Sequence, residues 1–195
     1  MRKICFIITI MSIAVTSTSA FQQPRIHFEV SFKEPQAHYA EITMHIENVQ
    51  REYVDVKMPV WTPGSYLVRE YARHVEALEA CDEGGTRLPT EKISKNTWRI
   101  SASKKRKLTV QYRIYGFEVS VRTNFIDDSH AFLSPAGTFL YVDGLLDVPA
   151  EVTVAPHASW ATISTGLDPV ADRPGTFRAD NFDILYDSPI EVGNQ

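Results

Sequence analysis

Apolar and polar side chains alternate with a period of two along most of the chain. Ile26, Phe28, Val30 and Phe32 interleave with His27, Glu29, Ser31 and Lys33, as a strand with one buried face requires. Ala40, Ile42, Met44 and Ile46 repeat the pattern against Glu41, Thr43, His45 and Glu47. Glu34-Pro35-Gln36 between the two runs is a turn, so a hairpin is expected. Val54, Val56 and Met58 predict a third strand, with Asp55 and Lys57 facing out. A strand near Val75 to Cys81 ends in the turn Asp82-Glu83-Gly84-Gly85. Trp98 and Ile100 share one face of Thr97 to Ser101. Beyond the basic turn Lys104 to Lys107, residues Leu108, Val110, Tyr112 and Ile114 form the clearest strand of the second half. Further strands are expected through Val119 to Phe125, Thr138 to Val142, Glu151 to Ala155 and Thr176 to Ala179. Tyr66 to Ala80 is ambiguous: Leu67, Tyr71 and His74 fit a helical turn, but Pro63-Gly64, Val68 and Val75 disfavour one. After residue 20 no segment carries a sustained 3.6-residue apolar stripe. The expectation is one all-β domain, an antiparallel β-sandwich.

The first twenty residues follow a different pattern. Arg2 and Lys3 precede a nearly unbroken apolar run from Ile4 to Val15, then Thr16-Ser17-Thr18-Ser19-Ala20. A short apolar run with these flanks reads as a signal peptide cleaved after Ala20, leaving residues 21–195 as the domain. The expected destination is a periplasm or the medium, with no membrane attachment after cleavage. The remaining chain holds 18 Lys and Arg against 24 Asp and Glu, a net charge of −6, which excludes nucleic acid as a partner on bulk electrostatics. Cys5 leaves with the signal, so Cys81 has no disulfide partner and is expected as a buried structural thiol.

Catalytic motifs are absent. No His-Glu-x-x-His, Gly-x-Ser-x-Gly or glycine-rich phosphate cradle occurs. The histidines at 27, 38, 45, 74, 130 and 157 form no close pair in sequence. His38 and His45, an odd number apart, would face opposite ways on one strand, and surface histidines are the expectation. Asp127-Asp128-Ser129-His130 reads as a solvated loop. The Ser65 hydroxyl is expected to serve the Pro63-Gly64 turn. In the tail, Asp180, Asp183, Asp187 and Glu191 interleave with Phe182, Ile184, Leu185, Tyr186, Pro189 and Ile190. This pattern suits a partly buried loop whose acids either bind backbone N–H groups or present a carboxylate to a cation.

The run Met58-Pro59-Val60-Trp61-Thr62-Pro63-Gly64-Ser65-Tyr66-Leu67-Val68-Arg69-Glu70-Tyr71-Ala72-Arg73-His74-Val75 resembles the opening signature of the glycyl aminopeptidase family. Asn96-Thr97-Trp98, Val110 to Tyr115, Ser120 to Phe125 and Asp183-Ile184-Leu185-Tyr186-Asp187-Ser188-Pro189-Ile190-Glu191-Val192-Gly193 fit the same family in the same order. Family members are zinc metallopeptidases with an N-terminal β-domain, a thermolysin-like catalytic domain and usually a PDZ domain. The resemblance implies a non-catalytic N-terminal domain, with zinc held by a catalytic domain that this sequence does not contain. The catalytic domain is the implied partner, and peptides with N-terminal glycine reach this domain through it.

Such a domain helps form the substrate cleft. An aminopeptidase must hold the substrate's α-ammonium, which calls for a fixed carboxylate. Glu191 is the first candidate and Asp187 the second. Tyr66 and Arg69 are candidates for lining the same interface, with turn packing and an Arg69–Glu70 ion pair as the alternative. This reading expects apolar side chains exposed where the catalytic domain docks. The alternative is a free-standing exported β-domain acting as a binding or scaffold module, which expects a closed polar surface.

Overall fold

The computed structural model describes residues 22–62 and 64–194; the expected signal segment lies outside them. The first half contains β1 (Arg25–Ser31), β2 (Tyr39–Glu47), β3 (Tyr53–Lys57), β4 (Val75–Asp82), β5 (Arg87–Leu88), β6 (Thr90–Ser94) and β7 (Thr97–Ser101). The second contains β8 (Lys107–Tyr115), β9 (Phe125–Ile126), β10 (His130–Leu133), β11 (Tyr141–Val142) and β12 (Ala150–Ala155). It continues with β13 (Thr162–Thr165), β14 (Asp168–Pro169), β15 (Thr176–Ala179), the helix α1 (Phe182–Tyr186) and β16 (Ile190–Gly193). Short 3-10 turns lie at Pro35–Ala37, Tyr71–His74 and Pro135–Gly137.

The alternating runs pair as expected. β1 and β2 form an antiparallel hairpin in which Ile26 faces Ile46 and Phe28 faces Met44. β2 pairs on its other edge with β8. These strands anchor an eight-stranded sheet ordered β14-β15-β12-β1-β2-β8-β4-β5. Two four-stranded sheets, β13-β16-β10-β9 and β11-β3-β7-β6, complete the fold. The pairings are antiparallel except that of β1 with β12. Strand polarity within a hairpin is legible from its turn, but this parallel pair joins strands more than a hundred residues apart. It needs a long crossover, here the chain from β2 to β11.

One core serves the three sheets. Phe28, Ile42, Met44, Ile46, Leu108 and Ile114 from the large sheet are fully buried, as are Val56, Ile100 and Leu133 from the smaller ones and Met58 just after β3. Each such side chain contributes about 1.5–3 kcal/mol. Phe139, delivered by the Pro135–Gly137 turn, packs its ring 4.8 Å from that of Phe28. The buried Tyr112 hydroxyl donates to the Thr138 carbonyl at 3.0 Å and accepts from the Leu140 amide at 3.3 Å.

Several expectations change. Val119 to Phe125 is not a strand: only Phe125 and Ile126 pair, and Val119 and Val121 are exposed. Their alternation finds no neighbouring strand, and the segment closes on itself through Glu118 N–H to Asn124 and Thr123 Oγ1 to the Glu118 carbonyl. Thr138 to Val142 contributes two strand residues because the 3-10 turn turns Phe139 and Leu140 into the core. The ambiguous stretch resolves into a 3-10 turn, Tyr71–His74, running into β4, which bulges between Glu76 and Glu79 with Ala77 at φ 51°. Cys81 is free and half-buried, more open than expected for a core thiol.

Salt links fasten the outer faces. Asp55 accepts two bonds from Arg99, both 2.8 Å, and Glu151 accepts two from Arg173 at 2.8 and 2.7 Å. The guanidinium bonds hold both carboxyls below their ordinary range. The Lys105 ammonium, with the Thr86 and Gly84 amides, does the same for Asp82. A carboxyl whose folded-state pKa lies below its unfolded value stabilises the fold above the ordinary carboxylate range. That stability disappears as pH falls through the folded-state values. Thermal melts should therefore give a level Tm down to about pH 5 and a falling Tm below about pH 4. Asp55→Asn combined with Glu151→Gln should lower Tm at neutral pH and flatten the acid slope.

Candidate functional site

The segment between β3 and β4 leaves the sheet under tight control. Asn96 clamps its start, donating from Nδ2 to the Met58 carbonyl at 2.8 Å while the Met58 amide donates to the Asn96 carbonyl at 2.9 Å. The Arg69 amide closes the loop onto the Val60 carbonyl at 2.6 Å. Inside it, the Ser65 amide donates to Thr62 at 3.1 Å, Gly64 takes φ +72°, and the Trp61 indole donates to the Ser65 carbonyl. The Ser65 hydroxyl accepts from Arg69 Nη2 at 3.4 Å.

This clamping pushes apolar side chains outward. Tyr66 is fully exposed at 103%, and Leu67 and Val68 are exposed beside it. Arg69 is half-buried, and its Nε is buried without a hydrogen-bond partner among the described residues. The hydroxyl of Tyr71, a residue only 4% exposed, is in the same condition. Glu70 pairs with Lys95 at 2.6 Å, in place of the alternative Arg69–Glu70 pair.

A second loop, residues 116–124, forms the facing wall. The two loops line one groove through Leu67, Val68, Arg69, Tyr71, Glu118 and Thr123. Val119 and Val121 project from this wall. Phe117 is exposed and stacks on His38 with ring centroids 3.7 Å apart. His38 Nδ1–H donates to the Ile126 carbonyl at 2.6 Å. His74 Nε2 accepts from Arg73 Nε at 2.9 Å, and burial, reinforced by the Arg73 charge, lowers its pKa.

The base of the groove is a buried polar knot. Asn124 Oδ1 accepts from the Ser134 amide at 2.8 Å and lies 3.1 Å from Thr138 Oγ1, while Nδ2 donates to the Gly137 carbonyl at 3.1 Å. Gly116 must be glycine here: a Cβ would meet that of Asn124 at 2.5 Å. A Cβ on Gly137 would meet the Tyr71 ring at 3.3 Å, so the same turn seats Tyr71.

Tyr71 links the first loop to α1. Burial raises its pKa. Burial, with Tyr71, Asp183 and Asp187 nearby, pushes that of Tyr186 to about 12. Asp187 is exposed at the end of α1, where its amide donates to the Asp183 carbonyl at 3.2 Å.

Glu191 stands on β16, opposite Phe132 of β10 and Ser164 of β13. Its Oε1 lies 3.8 Å from His130 Nε2. The His130 ring is 5.1 Å from that of Phe125, which stacks 5.4 Å from Phe117. An aromatic file thus runs from the groove wall toward Glu191.

Ser129 Oγ lies 2.6 Å from Asp127 Oδ1 and 2.8 Å from His130 Nδ1. The serine sits between the acid and the histidine, whereas a nucleophilic triad needs the histidine in the middle. Asp127 also accepts the Ser129 and His130 amides, so the four residues make a turn. The roles of Tyr71, Asn124 and His130 were missed in the sequence. They depend on contacts between loops, and only their place inside or beside the signature runs hinted at them. Among the described residues, the group whose ligand atoms converge enough to hold a metal is His27, Glu29 and His45, on the solvent face of the large sheet.

Three packed sheets with a loop groove define an all-β domain. Residues 27–194 match the Peptidase M61 N-terminal domain, and the chain belongs to that family. The resemblance drawn from the signature runs therefore holds for the peptidase N-terminal domain. An aminopeptidase N family protein of Idiomarina loihiensis is 32% identical and superposes with a TM-score of 0.80, over 86% of this chain and 29% of that one. A mutant M1 zinc metallopeptidase of Deinococcus radiodurans, bound to the substrate Tyr-Ser-Ala, is 13% identical at a TM-score of 0.50, over 87% of this chain and 41% of that one. The latter likeness is one of fold. This chain thus spans less than half the length of either protein. None of the curated proteins compared matches significantly.

Asn124→Ala should strand the Ser134 amide and the Gly137 carbonyl in the core. Urea unfolding should show a loss of about 3 kcal/mol, since each buried unsatisfied group costs about 1–3 kcal/mol.

Proposed function

We propose that this domain is the non-catalytic N-terminal part of a zinc aminopeptidase that removes N-terminal glycine from peptides. It docks a catalytic domain at the groove between the loops 60–70 and 116–124 and helps shape the substrate cleft. Zinc belongs to that catalytic domain, and the enzyme works after export. The observation that carries the reading is the state of the groove. Tyr66, Leu67, Val68, Val119 and Val121 stand exposed around Arg69 Nε and the Tyr71 hydroxyl, two buried polar atoms without partners among the described residues. Native proteins satisfy buried polar atoms, and apolar patches rimmed by polar groups are docking surfaces. A second apolar surface would cover these exposed side chains. The reading also fits the greater length of the Idiomarina and Deinococcus proteins. Among the described residues no helix is long and apolar enough to cross a membrane.

Within the cleft, Glu191 is the proposed partner of the substrate α-ammonium, with Asp187 as the second carboxylate. Glu191 is partly open, and its strand β16 is held between β10 and β13. Such mounting suits a carboxylate that must keep its position.

The purified chain, assayed with zinc on a glycyl-arylamide, should give no turnover; turnover would overturn the non-catalytic assignment. Placed in the Idiomarina protein in exchange for its matching N-terminal segment, the domain should support hydrolysis. There Glu191→Gln should lower kcat/KM about 10- to 100-fold, as expected for one charge-assisted hydrogen bond of about 1.5–3 kcal/mol. Unchanged kinetics would remove Glu191 from the cleft. Leu67→Asp with Val68→Asp should abolish activity in the exchange protein while leaving the Tm of the isolated chain unaltered.

A further inference from the structure

The solvent face of the large sheet carries a cluster that the peptidase reading does not use. The hairpin register sets His27 of β1 directly opposite His45 of β2. Directly opposed side chains on one face are about 4.5–5.5 Å apart at Cβ, and here the two rings stack with centroids 5.8 Å apart. Glu29, two residues along β1, shares the face. One ring nitrogen of each histidine and a carboxylate oxygen of Glu29 lie within 4.8 Å of one another.

We propose that His27, His45 and Glu29 bind a divalent transition-metal ion of the zinc class. Two imidazoles and one carboxylate make a three-ligand set with room for water or an outside ligand. Tetrahedral coordination with bonds of about 2.0–2.1 Å places ligand atoms about 3.3 Å apart. His45 Nε2 and Glu29 Oε1 are already 3.5 Å apart.

The flanking strands supply the outer support such a site needs. His45 Nδ1 lies 3.3 Å from Thr109 Oγ1 on β8, which leaves Nε2 toward Glu29. His27 Nε2 lies 2.8 Å from Thr153 Oγ1 on β12, which leaves Nδ1 as the free nitrogen. Thr153 Oγ1 is itself 2.9 Å from Thr176 Oγ1 on β15, so its orientation is fixed. A hydroxyl engaging the non-ligating nitrogen fixes tautomer and ring orientation in metal sites. Glu151 and Arg173 beside His27 are locked to each other by two bonds, so the arginine does not leave an uncompensated positive charge next to the ion.

The site is independent of the proposed docking groove and stands or falls alone. Calorimetric titration of the chain with ZnCl2 at pH 7.5 should give one ion per chain, with MgCl2 failing to compete because magnesium prefers oxygen ligands. Titration with CoCl2 should give visible absorption from cobalt bound to nitrogen and oxygen ligands. His27→Ala and His45→Ala should each weaken Zn2+ binding more than about 100-fold, and Thr109→Val and Thr153→Val about 10-fold, the effect of losing an outer-shell partner. Glu29→Gln, at an exposed position with little effect expected on folding, should also weaken binding. His157→Ala should leave it unchanged. Absence of Zn2+ binding at millimolar concentration, or undiminished binding in either Glu29→Gln or the folded His27→Ala/His45→Ala double variant, would overturn the proposal.

Discussion

The register of β2 is the constraint on which the molecule depends. β2 is paired along its length with β1 on one edge and β8 on the other. Its even-numbered residues Ala40, Ile42, Met44 and Ile46 all face the core and are buried. A slip of one residue would turn that set to solvent and bring Glu41, Thr43, His45 and Glu47 inside. At about 1.5–3 kcal/mol for each large apolar side chain, no compensating contact could hold the slipped arrangement. The same register fixes the outer face, so the pairing that buries Met44 against Phe28 also sets His45 beside His27. Core and surface chemistry are two sides of one alternation.

At the end of the sandwich, packing rather than pairing dictates the outcome. Asn124 ties the 116–124 loop to the Pro135–Gly137 turn, and that turn in turn seats Tyr71 and delivers Phe139 to the core. Rigid polar contacts below the groove allow its rim to stay apolar and exposed without collapse. A loop held this firmly at its base loses little further freedom on docking, which favours association. The Arg69 Nε and Tyr71 hydroxyl, without hydrogen-bond partners among the described residues, sit in this held region.

Much of this was legible in the chain. Strands with one buried face announce themselves by period, so β1, β2, β3, β7 and β8 fall where the alternation places them. Val119 and Val121 misled because alternation reports only that one face could be buried, not that a partner exists to bury it. The parallel pairing of β1 with β12 was invisible, since no local turn encodes it. The peptidase resemblance was carried by Trp61 to Tyr66 in a loop and by Asp187 to Gly193, which ends in β16, runs whose spacing reflects particular contacts. His27 and His45, eighteen positions apart, looked unrelated. The hairpin inferred from Pro35 and the two flanking runs already contained their proximity, given the register that the structure supplies.

The central claim is that the groove between the 60–70 and 116–124 loops is where another domain sits. Hydrogen–deuterium exchange compares this most directly, with the chain alone measured against the chain joined to the remainder of the Idiomarina aminopeptidase family protein. The account predicts slowed amide exchange at residues 64–70 and 117–123 in the joined protein, with little change across β1, β2 and β12. Unchanged exchange in both loops, with protection instead on the open face of the large sheet, would contradict it.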